Sequence, residues 1–84
     1  MNNWQRKVLV RLFAKPVSAT VAWADIEAIL TGVGCVATEG SGSRVSFAYN
    51  GHIESFHRPH RQEEAKRYQV RQARDFLKRI GFEP

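Results

Sequence analysis

Hydrophobic and polar positions recur along the chain with two different periods, and the change of period divides it. Trp4, Val8 and Leu12, joined by Leu9 and Phe13, fall at helical spacing, while Arg6, Lys7 and Arg11 take other faces. This predicts an amphipathic helix over residues 3–14, ended by Pro16. A second stripe of Ile26, Ile29, Leu30 and Val33 predicts another helix, with Ser18 or Thr20 as its N-cap and Trp23 packed into the core. Asp25 and Glu27 suit the positive end of its dipole, and Gly32 and Gly34 supply the stop. The period then drops to two. Residues 35–39 form a short β-branched and small-residue run fit for a first strand, and Gly40-Ser41-Gly42-Ser43 lets the chain reverse. In residues 44–49, Val45, Phe47 and Tyr49 share one face and Ser46 and Ala48 the other.

Asn50-Gly51 follows, the dipeptide best suited to the positive φ angles of a tight hairpin turn. A two-residue turn pairs Tyr49 with His52 and Arg44 with His57, and sets Glu54 and Phe56 on the face of Phe47. A three-residue loop would set Ile53 and Ser55 there instead, since one slip exchanges the faces. The two-residue turn is the preferred register. After Phe56, Pro59 blocks any further ladder and forces a loop. A closing helix carries Ala65, Tyr68, Ala73, Phe76, Leu77 and Ile80 on its apolar side and Arg67, Arg71, Arg74 and Lys78 as a basic stripe, with Gly81 as its end. Two helices, three strands and a helix, without strict alternation, predict a single α+β domain over residues 1–84. Its antiparallel three-stranded sheet is covered by helices on one face, and the other face stays available.

Length and charge narrow what such a fold can do. A chain of 84 residues is too small for a three-layer enzyme core. The formal charge of +5 is unevenly placed: residues 1–15 carry +4, residues 16–34 carry −2, residues 35–60 balance, and residues 61–84 carry +3. Basic ends favour a polyanionic partner such as nucleic acid. Cys35 is the sole cysteine, which excludes an intramolecular disulfide and a cysteine-based zinc cluster and points to a reducing cytoplasm. No apolar run approaches the roughly 20 residues that span a bilayer, and the N-terminus is too charged for a secretory signal, so a cytoplasmic location without membrane contact is expected.

Chemistry gathers around the hairpin. Gly40-Ser41-Gly42-Ser43 lacks the lysine and the following helix of a phosphate loop, so nucleotide binding by that route is not expected. His57 and His60 are the local candidates for acid–base work, since imidazole, with a reference pKa of about 6.5, serves in both protonation states near neutrality. Arg44 can hold a phosphate but cannot exchange a proton near pH 7. A metal site on His57 and His60 has only Glu63 and Glu64 to complete it, so neither a metal nor another cofactor is expected. His52, beside the turn, reads as a surface residue, and Tyr49 either stacks on a base or packs in the core.

The glycine–serine turn into a strand, the Asn50-Gly51 hairpin, the FHRPH segment and the closing FLKRIGF resemble the HicA family of messenger RNA interferase toxins, over roughly Ile26 to Phe82. The resemblance implies a double-stranded-RNA-binding-domain-like fold. It also implies a small cytoplasmic toxin of a type II toxin–antitoxin module, active in stress response, that cleaves mRNA without metal and is inhibited by a HicB-like antitoxin. In the family pattern a catalytic histidine follows the turn; here Arg44 stands at that position. His57 matches a segment where the family often has a histidine. The site expected on this basis is His57, Arg44 and His60, with Arg58, Arg61, Arg67, Arg71, Arg74 and Lys78 on RNA. Residues 1–15 look like an addition, an extra N-terminal helix. Because Arg44 replaces the histidine, two further readings stay open: an RNA-binding module of the same fold that has lost catalysis, and a protein-interaction domain whose open sheet face meets a partner.

Overall fold

Helix α1 (Asn3–Leu12) starts where Asn2 and Gln5 cap each other: Asn2 Oδ1 accepts the Gln5 N–H at 2.8 Å and Gln5 Oε1 accepts the Asn2 N–H at 3.0 Å. The computed structural model describes residues 1–59 and 64–84. It follows α1 with α2 (Trp23–Gly32), β1 (Val36–Glu39), β2 (Arg44–Tyr49), β3 (His52–His57) and α3 (Arg67–Arg79). The three strands form one antiparallel sheet in the order β1-β2-β3. The architecture is the α+β, double-stranded-RNA-binding-domain-like one, with α1 added ahead of it.

One apolar core joins the helices to a single face of the sheet. Val8, Leu9 and Leu12 of α1, Trp23, Ile26, Ile29 and Leu30 of α2, and Val70, Ala73, Phe76 and Leu77 of α3 close on Val45, Phe47 and Phe56. Trp23 packs against Phe56 with ring centroids 5.3 Å apart, and Phe56 meets Phe47 edge-on at 5.9 Å. Tyr49 lies on this covered face as well, edge-on to Phe82 at 5.8 Å, so core packing decides its role.

Several details of the helices and their ends differ from what the residue pattern predicts. Helical spacing puts Trp4 on the buried stripe of α1, but it is 43% exposed, because Val8, Leu9 and Leu12 set the buried face and Trp4 lies at its margin. Neither Ser18 nor Thr20 caps α2; Ala22 does, without a side-chain bond. The chain is held extended there, since Val21 is buried, its carbonyl accepts the Ala65 N–H at 2.7 Å, and Ala22 bridges Glu64. Ser18 instead accepts the Thr20 N–H, and Thr20 accepts from Arg11. Gly32 is the last residue of α2, and the turn out of the helix falls on Gly34 at φ +117°. There Cys35 N–H bonds Leu30 O and Gly34 N–H bonds Thr31 O, the paired bonds of a Schellman end.

The closing helix differs in phase. Tyr68 is 52% exposed, whereas Gln69 and Val70 are buried. The buried set Gln69, Val70, Ala73, Phe76 and Leu77 follows i, i+1, i+4, i+7, i+8, and Tyr68 sits about 100° away from Gln69 around the axis. Ala65 is buried as expected, but ahead of the helix.

Candidate functional site

The hairpin register fixes what the sheet offers. Asn50 and Gly51 take φ +48° and +83°, the left-handed pair of a type I′ turn, and Tyr49 faces His52 across it. The two-residue turn thus pairs Phe47 with Glu54 and Val45 with Phe56 on the covered face. On the opposite, open face it pairs Arg44 with His57 and Ser46 with Ser55. The serine hydroxyls bond each other at 2.8 Å, which confirms that they share that face. Directly opposed residues of an antiparallel pair have Cα atoms about 4.5–5.5 Å apart, so a guanidinium and an imidazole rise from neighbouring points, and both residues are exposed.

Each of the two is positioned by its own neighbours. Arg44 leans over the preceding turn: a Cβ added at Gly40 would lie 3.2 to 3.4 Å from Arg44 Cβ, Cγ and Cδ, so the glycine makes room for the arginine stem. Gly40 N–H also bonds Arg44 O at 2.8 Å. On the other strand, the His57 carbonyl accepts a bond from Gln69 Nε2 at 2.7 Å. Gln69 is 1% exposed, and its Oε1 accepts the Lys66 N–H, so one amide caps α3 and holds the end of β3. Gln69 escaped the sequence reading; its i, i+1, i+4, i+7 relation to Val70, Ala73 and Phe76 is the signal that marks it.

Arg58, expected on RNA, is used within the fold. Its Nε and NH2 donate to Glu27 at 2.6 and 3.1 Å, and NH1 and NH2 donate to Glu39 at 2.6 and 2.7 Å. Its main-chain N–H bonds Ser43 O at 2.9 Å. Glu27 also accepts the indole N–H of Trp23. The guanidinium therefore joins α2, the end of β1 and the end of β3 at the corner beneath Arg44 and His57. The bonds from Arg58 hold the Glu39 carboxyl below the usual carboxylate range, and the two carboxylates push Arg58 further up. Four of its five donors are taken within the fold.

The basic stripe of α3 is only partly on the surface. Arg67, Arg71 and Lys78 are exposed, but the Arg74 side chain is 17% exposed and lies 3.8 Å from Asp75. Arg79, unremarked in the sequence, bridges Glu54 at 2.6 Å and lies over the Phe76 ring. His60 and Arg61 lie outside the described residues. Among the described residues no group of three or more His, Cys, Asp or Glu gathers to hold a metal ion, and no helix is long and apolar enough to cross a membrane.

The family model for the HicA toxin of bacterial toxin–antitoxin systems matches residues 23–82. The match starts at the first residue of α2, so it takes in the sheet, the Arg44–His57 pair and α3, and leaves α1 outside. No curated protein and no solved structure matches the chain. The chain belongs to the HicA family of toxins of bacterial toxin–antitoxin systems.

Proposed function

We propose that this toxin is a metal-independent endoribonuclease that cleaves mRNA in the cytoplasm, with His57 moving the proton and Arg44 stabilising the phosphorane. The observation that carries this reading is the pairing of Arg44 with His57 across the open face. The imidazole takes the proton of the 2′-hydroxyl as its oxygen attacks phosphorus, the P–O5′ bond breaks, and the imidazolium returns the proton to the leaving oxygen. Charge that builds on the non-bridging oxygens is met by the guanidinium, which stays protonated throughout. The products carry 2′,3′-cyclic phosphate and 5′-hydroxyl ends. His60 is a second imidazole in the same segment of sequence, and Arg61 and the α3 cations Arg67, Arg71 and Lys78 supply phosphate contacts along the flanking RNA. As the toxin of a toxin–antitoxin module the chain has an antitoxin partner; a HicB-like protein is the partner proposed.

Incubating purified toxin with RNA in EDTA, and analysing the product ends, tests the reading. Cleavage with cyclic-phosphate ends is expected, and His57→Ala should lower its rate about 10²- to 10⁴-fold. Arg44 in the histidine's place favours one second reading, an RNA-binding or protein-binding module without catalysis. It takes over if the parent protein cleaves nothing with its antitoxin removed.

A further inference from the structure

The open face of the sheet is laid out in three cross-strand rows. Nearest the hairpin turn, Val36 of β1, Ala48 of β2 and Ile53 of β3 stand in register, and Val36 and Ile53 are 66% and 65% exposed. The next row holds Thr38, Ser46 and Ser55, three hydroxyls side by side. The last row on this face holds Arg44 and His57, with Gly40 leaving space beside the arginine. Residues two apart along a strand are about 6.6–6.8 Å apart, so the rows follow one another at that spacing.

Charge on the sheet is sorted between its faces. The carboxylates of the three strands are Glu39 and Glu54, and both stand on the covered face, where Arg58 holds one and Arg79 and Gln72 hold the other. The eight residues of the open face include no acid. An anion approaching Arg44 and His57 from that side meets no carboxylate on the sheet.

Basic, hydroxyl and apolar rows in sequence match the phosphate, ribose and base of a nucleotide. We infer that the open face is a subsite for single-stranded RNA: phosphate on Arg44 and His57, ribose hydroxyl on Ser46 and Ser55, and a base on Val36, Ala48 and Ile53. The serine pair suits a 2′-hydroxyl. One serine donates to the other and the second keeps its own O–H, so the pair offers a donor and lone pairs together, as a group that both donates and accepts requires. Only an unpaired strand can turn its bases onto the sheet. This names the substrate class of the ribonuclease reading and rests on it for the identity of the ligand, but binding can be measured without cleavage.

The test uses the full chain carrying His57→Ala, and single-stranded RNA and DNA oligonucleotides of one sequence. RNA should bind more tightly than DNA. Adding Ser46→Ala and Ser55→Ala should reduce that preference about three- to tenfold by weakening RNA alone, since each lost hydrogen bond carries a modest factor. Adding instead Val36→Ser and Ile53→Ser should weaken RNA and DNA alike, and should remove the difference between the intact oligonucleotide and one with abasic sites. All four substitutions are on the surface, so an unchanged melting temperature certifies the fold. An RNA preference unmoved by the serine changes overturns the inference. So does an apolar-row variant that binds nucleic acid as before but no longer binds antitoxin, which would give the face to a protein. Failure of the ribonuclease reading shows separately, as a parent protein that binds RNA in this pattern and cleaves none.

Discussion

Gln69 donates a hydrogen bond from Nε2 to the main-chain carbonyl of His57 at 2.7 Å, while its Oε1 accepts the Lys66 N–H at 3.0 Å. A buried amide thus ties the start of α3 to the end of β3. Gln69→Leu keeps the volume and deletes both bonds, leaving a carbonyl and an N–H without this partner. The cost should be about 1–3 kcal/mol, read as a melting temperature lower by at least about 4 °C. A variant that melts with the parent would show that water replaces the amide at no loss and that His57 is held by the strand alone.

Phe76 is fully buried where α3 crosses the sheet, within the cluster that holds Phe47 and Leu77. Phe76→Ala should cost about 3–5 kcal/mol, a large share of what a domain this small possesses. Urea unfolding measures it. A midpoint within experimental error of the parent's would mean that the site collapses around the lost ring.

The Arg58 corner makes a pH prediction. Arg58 lowers the Glu39 pKa in the folded state, so the carboxylate contributes stability that is complete above the unfolded carboxyl pKa of about 4.3 and is lost as the pH falls through the lower folded value. Glu39→Gln should therefore melt below the parent at pH 6 and converge with it as the pH falls below the folded Glu39 pKa. The effect is small, because the Glu39 side chain is 67% exposed. Arg58→Ala should lower the melting temperature more, since it also strips Glu27, the acceptor of the Trp23 indole N–H, of its cationic partner. Parallel pH profiles for the parent and Glu39→Gln would remove this ion pair from the account of the corner.

How much of this was legible in the sequence differs between local and distant contacts. Asn50-Gly51 specified its turn by backbone chemistry alone, and the turn specified the register, so Arg44 opposite His57 and Glu54 beneath Phe47 followed from counting. Phe76 and Leu77 were readable from helical spacing. Arg58 was not, because its partners Glu27 and Glu39 lie 31 and 19 residues away and nothing local marks a cation for internal pairing. Gln69 was hidden by its polarity, which a period-based reading assigns to solvent, although its two bonds satisfy the amide in the core. Tyr68 misled in the opposite sense: its aromatic ring drew the predicted stripe one residue toward the helix start.

Exposure along α3 separates its cations. Replacing Arg71 and Lys78 with alanine should weaken RNA binding and flatten its salt dependence by about 0.7–0.9 of slope per lost contact. Arg74→Ala should change the slope less, as its side chain is mostly covered. Equal slopes for the parent and the double variant would assign the exposed cations to solvent or to the antitoxin.

Arg44 provides the sharpest test of the site. It occupies the position where the resemblance places a histidine, and it faces the one histidine that the hairpin register brings to the same point of the sheet. In the proposed mechanism the pair has a single imidazole, so His57 would both accept and return the proton. A histidine at position 44 would divide these duties between two imidazoles, one entering as base and the other as acid. Arg44→His should then raise the cleavage rate in EDTA above the parent's and turn its pH dependence into a bell, whereas Arg44→Ala should lower the rate and Arg44→Lys should restore only the part due to charge. Arg44 is exposed and its bonds to the turn are main-chain ones, so all three variants should fold. If Arg44→His is folded and no faster than Arg44→Ala, the two positions do not share a reacting phosphate, and cleavage has to be sought away from the Arg44–His57 pair.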